Sequence, residues 1–115
     1  VNSVGESMKA IIGQGLPDQV VIGRKYSSAC YITDSWPSVL YLALKYQTNP
    51  LKGLFVNANL GGDNVHRGSI LGTIFGLLGG SEANYLFEKL TDIKTLQNEI
   101  KTMCNISSLP DKPSA

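Results

Sequence analysis

The sequence predicts an all-α protein, a bundle of helices, and three features carry that expectation. Gly68, Gly72, Gly76 and Gly80 recur every fourth position and so share one helical face. Each costs roughly 1 kcal/mol relative to alanine inside a helix, a cost tolerable where a flat face lets another backbone approach closely. Second, Val4, Met8, Ile11 and Ile12 line one side of a helical repeat. Third, Ile93, Leu96, Ile100 and Met103 fall at heptad-like spacing against lysines and a glutamate. Glycine stripes also occur in membrane helix pairs, but the apolar run here is far shorter than the roughly 20 residues a bilayer demands. The glycine helix is therefore expected at the buried centre of the bundle.

In chain order, Val4 to Gly13 reads as a short amphipathic helix, stopped by Gly13 and Gly15. Leu16-Pro17-Asp18 is a break, and Pro17 with Asp18 also suits a helix start. The β-branched Val20, Val21 and Ile22 leave helix and strand both open there. Residues 27–32 read as extended or irregular. Asp34 or Ser35 is expected to cap a helix with Pro37 in its first turn, running through Tyr46 and burying Val39, Leu40, Leu42, Ala43, Leu44 and Tyr46. Asn49-Pro50 opens the next helix, through about Asn59, with Leu51, Leu54, Phe55 and Ala58 inward. The glycine helix spans 64–78 and closes at Gly79-Gly80 in a left-handed cap. Two amphipathic helices follow, over 81–90 and 92–104, and a frayed tail begins at Asn105.

Composition narrows the function classes. Of the 115 residues, 43% are hydrophobic and 17% charged, which describes a globular chain rather than a disordered one. A net charge of +1 gives no basic field for nucleic acid. Cys30 and Cys104 have neither metal spacing nor a paired framework. They read as free buried thiols, which suits a reducing compartment such as the cytoplasm, with one disulfide between them the alternative. Trp36 and Tyr31 read as core or interface aromatics.

Chemistry concentrates in the stretch from Asn57 to Gly68. Gly61-Gly62 turns the chain and delivers Asp63 to the start of the glycine helix. At that N-cap position a carboxylate faces free backbone N–H groups and the positive helix end. It either caps and does nothing more, or also holds a hard cation. His66, one turn in, is either a structural hydrogen-bonder or a ligand. Arg67 either pairs with Asp63 or a phosphate, or is a solvated surface residue. Asn57, Asn59 and Asn64 suit turn chemistry, with ligand contact the alternative. No Ser-His-Asp, Cys-His or phosphate-loop constellation emerges from the sequence.

Ala58-Asn59-Leu60-Gly61-Gly62-Asp63, with the glycine helix after it, resembles the Ala-x-x-Gly-Gly-Asp motif and Gly/Ala-rich helix of the ADP-ribosylglycohydrolases of the dinitrogenase-reductase-activating type. Residues 31–37 and the apolar run 39–44 resemble that family's segment just before the motif. The resemblance covers roughly 20–80. It implies an orthogonal helical bundle and a hydrolase that removes ADP-ribose with a water activated by two magnesium ions. Asp63 is the implied metal ligand, with Asn64 and His66 weaker candidates. Arg67 and Asn59 are the candidates for contact with an ADP-ribosyl ligand.

The departures are as specific as the matches. Where the family reads Asp-Thr-Asp-Thr, this chain reads Asp63-Asn64-Val65-His66. The resemblance places Val65 where the second, bridging carboxylate stands, and valine offers no donor atom. The family's other ligands, an early acidic residue and a Thr-Asp-Asp motif, have no counterpart here. Residues 1–104 are therefore expected to be the C-terminal portion of such a domain. On this expectation it is inactive alone, and it self-associates or pairs with the missing half. Two readings follow: a glycohydrolase with a degenerate site, or a non-catalytic helical module like the family's crystallin relatives.

Overall fold

A computed structural model describes residues 3–79 and 84–107. Among them are seven helices and no strand. The chain divides into two compact units, Val1–Ala83 and Asn84–Ala115.

In the first unit, α1 (Val4–Gly13) begins with a capping box: Glu6 N–H donates to Ser3 Oγ, and Ser3 N–H donates back to the Glu6 carboxylate. It buries Met8 and Ile11. α2 is the single turn Asp18–Val21 after Pro17. The β-branched run divides: Val20 and Val21 are helical, and Ile22 is extended, bridging to Tyr26. α3 (Ile32–Lys45) packs against α1, α4 and α5. α4 (Pro50–Leu60) is capped by the Asn49 side chain, which accepts from Lys52 N–H at 3.1 Å. α5 (Asn64–Leu77) packs on α4 and α3. Met8, Ile11, Val21, Ile22, Tyr41, Leu42, Leu71 and Phe75 make the core between them.

Three expectations are corrected here. α3 starts at Ile32 with Tyr31 as N-cap, so Asp34 and Ser35 lie inside the helix, as does Pro37. The Ser38 hydroxyl donates to Asp34 O at 2.8 Å, near the ladder position that proline leaves without a donor. α4 presents Pro50, Gly53 and Asn57 to the interior, while Phe55 is 52% exposed and Ala58 is exposed too.

The third correction concerns the glycine stripe. α5 buries Arg67, Leu71 and Phe75, the stripe one residue earlier, and α3 rather than α5 buries the most residues. A Cβ on Gly76 would meet open space, and one on Gly72 would make ordinary contact with Leu54 at 3.9 Å. Gly80 lies outside the described residues. Within the described stripe only Gly68 is close to a neighbour, its Cβ position 2.9 Å from Asn57 Nδ2, and the tightest packing is at Gly53 on α4, where a Cβ would lie 2.8 Å from Tyr46 Cβ and 2.9 Å from the Phe75 ring. Burial follows the stripe that carries side chains, since removing apolar area from water is the driving force.

Four side chains, from α2, α3 and the α3 C-cap Tyr46, form a polar pin that the sequence did not announce. The Asp18 carboxylate accepts from Tyr41 Oη at 2.7 Å, Tyr46 Oη at 2.6 Å and Lys45 Nζ at 2.7 Å. It holds α2 to the last turn of α3.

In the second unit, α6 is Asn84–Glu88 and α7 is Ile93–Ser107. The helix expected to end at 104 continues to Ser107, so Asn105 is helical; residues 108–115 lie outside the described set. Cys104 and Cys30 are both exposed rather than buried. No helix among the described residues is long and apolar enough to cross a membrane.

Candidate functional site

The turn between α4 and α5 requires both of its glycines. Gly61 and Gly62 have φ of 68° and 62°, a region that L side chains avoid. A Cβ on Gly62 would also collide with the Ser28 carbonyl and hydroxyl. That close approach lets Asp63 N–H donate to Ser28 O at 2.9 Å, tying the loop before α3 to the start of α5.

Asp63 takes the N-cap position of α5, but its carboxylate makes no capping bond. It accepts instead from His66, Asp63 Oδ1 to His66 Nδ1 at 2.6 Å. The imidazole is 82% exposed and the carboxylate 23%. That hydrogen bond, and then the charge of Asp63, raise the His66 pKa above its ordinary value.

Asn57 is the hub beneath the turn. Its Nδ2 donates to Asn64 O at 2.8 Å, and its Oδ1 accepts from Arg67 Nε at 2.7 Å. Gly68 makes room for it: a Cβ there would lie 2.9 Å from Asn57 Nδ2. Arg67 Nη2 donates to Gly61 O at 2.8 Å. Arg67 is 2% exposed, which removes the solvated-surface alternative. It makes no ion pair with Asp63 either; the ion pairs among the described residues are Lys45–Asp18 and His66–Asp63. Burial draws its pKa below the usual arginine range, and the charge of Asp63 pulls the other way. The group remains a cation.

Asp63, His66 and Arg67 line one cavity of about 330 Å³. Ile32, Trp36, Val39 and Ile70 supply its apolar wall, and Cys30 and Ser35 complete it. Trp36 is 46% exposed, a pocket wall rather than a core aromatic. Tyr31 is also exposed. Two candidates are not brought in. Asn59 donates to Phe55 O along its own helix, and Asn64 Nδ2 donates to Ala58 O.

The donor set does not fit a pair of magnesium ions. Magnesium demands near-octahedral oxygen coordination. The turn offers one carboxylate, with one oxygen engaged by His66, and Val65 is 76% exposed with no donor atom. Among the described residues no three His, Cys, Asp or Glu side chains are placed to hold a metal.

A family model described as ADP-ribosylglycohydrolase matches residues 2–105. The chain belongs to the ADP-ribosylglycohydrolase family. Comparison with curated proteins and with solved structures gave no match. The all-α architecture agrees with the family, and the Gly61-Gly62-Asp63 turn that carried the resemblance lies at the cavity.

Asn57 is the site residue that sequence reasoning undervalued. It lies ten residues before Arg67, across the glycine turn, and nothing in that spacing distinguishes a hub from a turn asparagine. Cys30, Ser35, Ile32, Val39 and Ile70 come to the cavity through the fold alone.

Proposed function

We propose that this glycohydrolase-family chain binds an ADP-ribosyl group in the cavity at the Gly61–Asp63 turn, with Arg67 as the anchor for its diphosphate. We further propose that the chain alone hydrolyses no ADP-ribosyl bond. One observation carries the first reading: a guanidinium 2% exposed, bonded only to the neutral acceptors Asn57 Oδ1 and Gly61 O, lining a cavity. A buried charge is costly unless paired, and a diphosphate supplies the counter-charge bidentately. The apolar wall of Ile32, Trp36, Val39 and Ile70 suits the uncharged parts of the same ligand.

The absence of hydrolysis rests on the donor set. Glycosidic hydrolysis by a metal-activated water needs oxygen ligands, and Asp63 is the one carboxylate at the cavity. Further ligands would have to come from outside the described residues, whether from a companion segment or a second copy. The exposed free thiols, Cys30 and Cys104, suit a reducing compartment, and a cytoplasmic location is part of this reading. The non-catalytic reading is favoured by Val65, which stands at the bridging position of the family motif.

Calorimetric titration of ADP-ribose into the 115-residue chain tests the binding. Saturable binding is expected, weakened about 10- to 100-fold in Arg67→Gln, because a hydrogen bond to a charged group contributes about 1.5–3 kcal/mol. Circular dichroism confirms that the variant remains folded. Equal affinity in a folded Arg67→Gln, or no binding by the parent, refutes the anchor. Release of ADP-ribose from a modified peptide by the parent, abolished by Asp63→Ala, refutes the claim of inactivity.

A further inference from the structure

The way the turn fails to fit a magnesium pair is itself informative. Asp63 is held by its backbone on both sides, its N–H on Ser28 O and its carbonyl accepting from Arg67 N–H at 3.2 Å. Its carboxylate is therefore presented at the cavity in one place, and a cation binding there would have to engage it. His66 already does: Nδ1 lies 2.6 Å from Oδ1. The imidazole is 82% exposed, so this hydrogen bond, rather than packing, holds the ring on Asp63. A ring nitrogen carrying hydrogen donates to Oδ1 in either charge state. The neighbouring groups offer a cation little help. Val65 has no donor, and Asn64, whose amide nitrogen donates to Ala58 O, has only its side-chain oxygen to add to the Asp63 carboxylate.

We propose that His66 occupies the seat a cation would take on Asp63, so that ligand capture in this cavity proceeds without a divalent metal and the carboxylate becomes available to one only when the imidazole is removed. The inference rests on the ADP-ribosyl reading above for the ligand, and on the Asp63–His66 geometry alone for the metal.

The experiment has two arms, which separate the inference from that reading. In the first, magnesium alone is titrated into the isotopically labelled chain and the Asp63 and Asn64 amide resonances are followed. No saturable shift is expected for the parent. Saturable shifts are expected for His66→Ala, and their loss when Asp63→Ala is added. Saturable shifts in the parent as large as in His66→Ala overturn the proposal. So does an absence of shifts in His66→Ala, because the imidazole is then not what keeps a cation off. In the second arm, ADP-ribose is titrated in the presence of a chelator or of magnesium. Affinities within twofold of each other support the proposal. Binding that requires magnesium overturns it while leaving the ADP-ribosyl reading intact. If the parent binds no ADP-ribose in either buffer, that reading fails, and the magnesium arm still decides whether His66 holds the seat.

Discussion

A methyl group added at Gly53 and one added at Gly72 should change stability in opposite directions, although both glycines lie inside helices of the same unit. Replacing an interior helical glycine by alanine gains about 1 kcal/mol when the new Cβ meets no obstacle. At Gly72 the nearest atom is Leu54 Cδ2 at 3.9 Å, ordinary van der Waals contact, so the full gain is expected. At Gly53 the Cβ lands 2.8 Å from Tyr46 Cβ and 2.9 and 3.0 Å from two atoms of the Phe75 ring. The first is fixed to backbone, and the second belongs to a fully buried side chain, so neither moves cheaply. Overpacking of this kind costs about 1–3 kcal/mol. A cost near the upper end, offset by the propensity gain, leaves Gly53→Ala about 2 kcal/mol less stable than the parent. Each kcal/mol shifts Tm by about 4–8 °C in a domain of this size, so variants about 3 kcal/mol apart should melt roughly 12–24 °C apart. Thermal and urea unfolding followed by circular dichroism at a helical wavelength reads this directly. Gly53→Ala as stable as the parent would show that α4 does not lie so close to α3 and α5. Gly72→Ala less stable than the parent would show that the glycine face of α5 is covered after all.

The polar pin should shape both ends of the stability–pH curve. For Asp18, burial works upward, but hydrogen bonds from Lys45, Tyr46 and Tyr41 outweigh it and hold the carboxyl below the usual carboxylate range. A depressed folded pKa gives stability that is present above the unfolded value of about 3.9 and lost as pH falls through the folded one. Parent Tm should therefore drop below about pH 4, with Asp18→Asn less stable at neutral pH and flatter in acid. Tyr46 is pushed up to about 12 by burial and then by Asp18. Its contribution should be complete below about pH 10 and lost toward 12, an alkaline limb that Tyr46→Phe removes. Asn57→Leu should destabilise by about 3 kcal/mol in urea unfolding, because it strands Arg67 Nε and Asn64 O without partners; a loss under 1 kcal/mol would mean water replaces the amide.

Much of the fold was legible because local rules and tertiary packing agree where helices begin and end. Asn49 caps α4 and Gly79 closes α5 with φ of 83°, where the sequence puts them, whereas the Ser3–Glu6 box that opens α1 was not read. Facing was read less well. Phe55 and Asn57 exchange the places that hydrophobicity assigns them, because Gly53 lets α4 lie against Tyr46 and Phe75, and that contact turns Asn57 inward and Phe55 out. The glycine repeat in α5 suggested a packed face, but a 3.6-residue period puts Arg67, Leu71 and Phe75 on an adjacent stripe, and theirs is the one that is buried. The site was half legible for a related reason. Asp63 and His66, one turn apart, are local enough to be read together. The other wall, with Trp36 and Ile32, arrives only when Asp63 N–H reaches Ser28 O, a contact between residues 35 apart in sequence that no short motif encodes.

The partner chosen for Arg67 bears on what the cavity does. A carboxylate at Nε would satisfy the guanidinium and cancel its charge, and an arriving anion would then have to displace it or bind a neutral pair. An asparagine oxygen and a backbone carbonyl satisfy two donors and leave the charge intact. Keeping a cation buried in this way costs stability, and on the proposed reading an arriving diphosphate would offset that cost. The same logic separates Arg67 from its neighbour. Asp63, with a charge of opposite sign a few residues away, is engaged by His66 rather than by Arg67. The imidazole on Asp63 thus does two things at once: it occupies the carboxylate, and it leaves Arg67 free of a competing ion pair. The positive charge that lines this cavity without an ion-pair partner is therefore the buried guanidinium of Arg67.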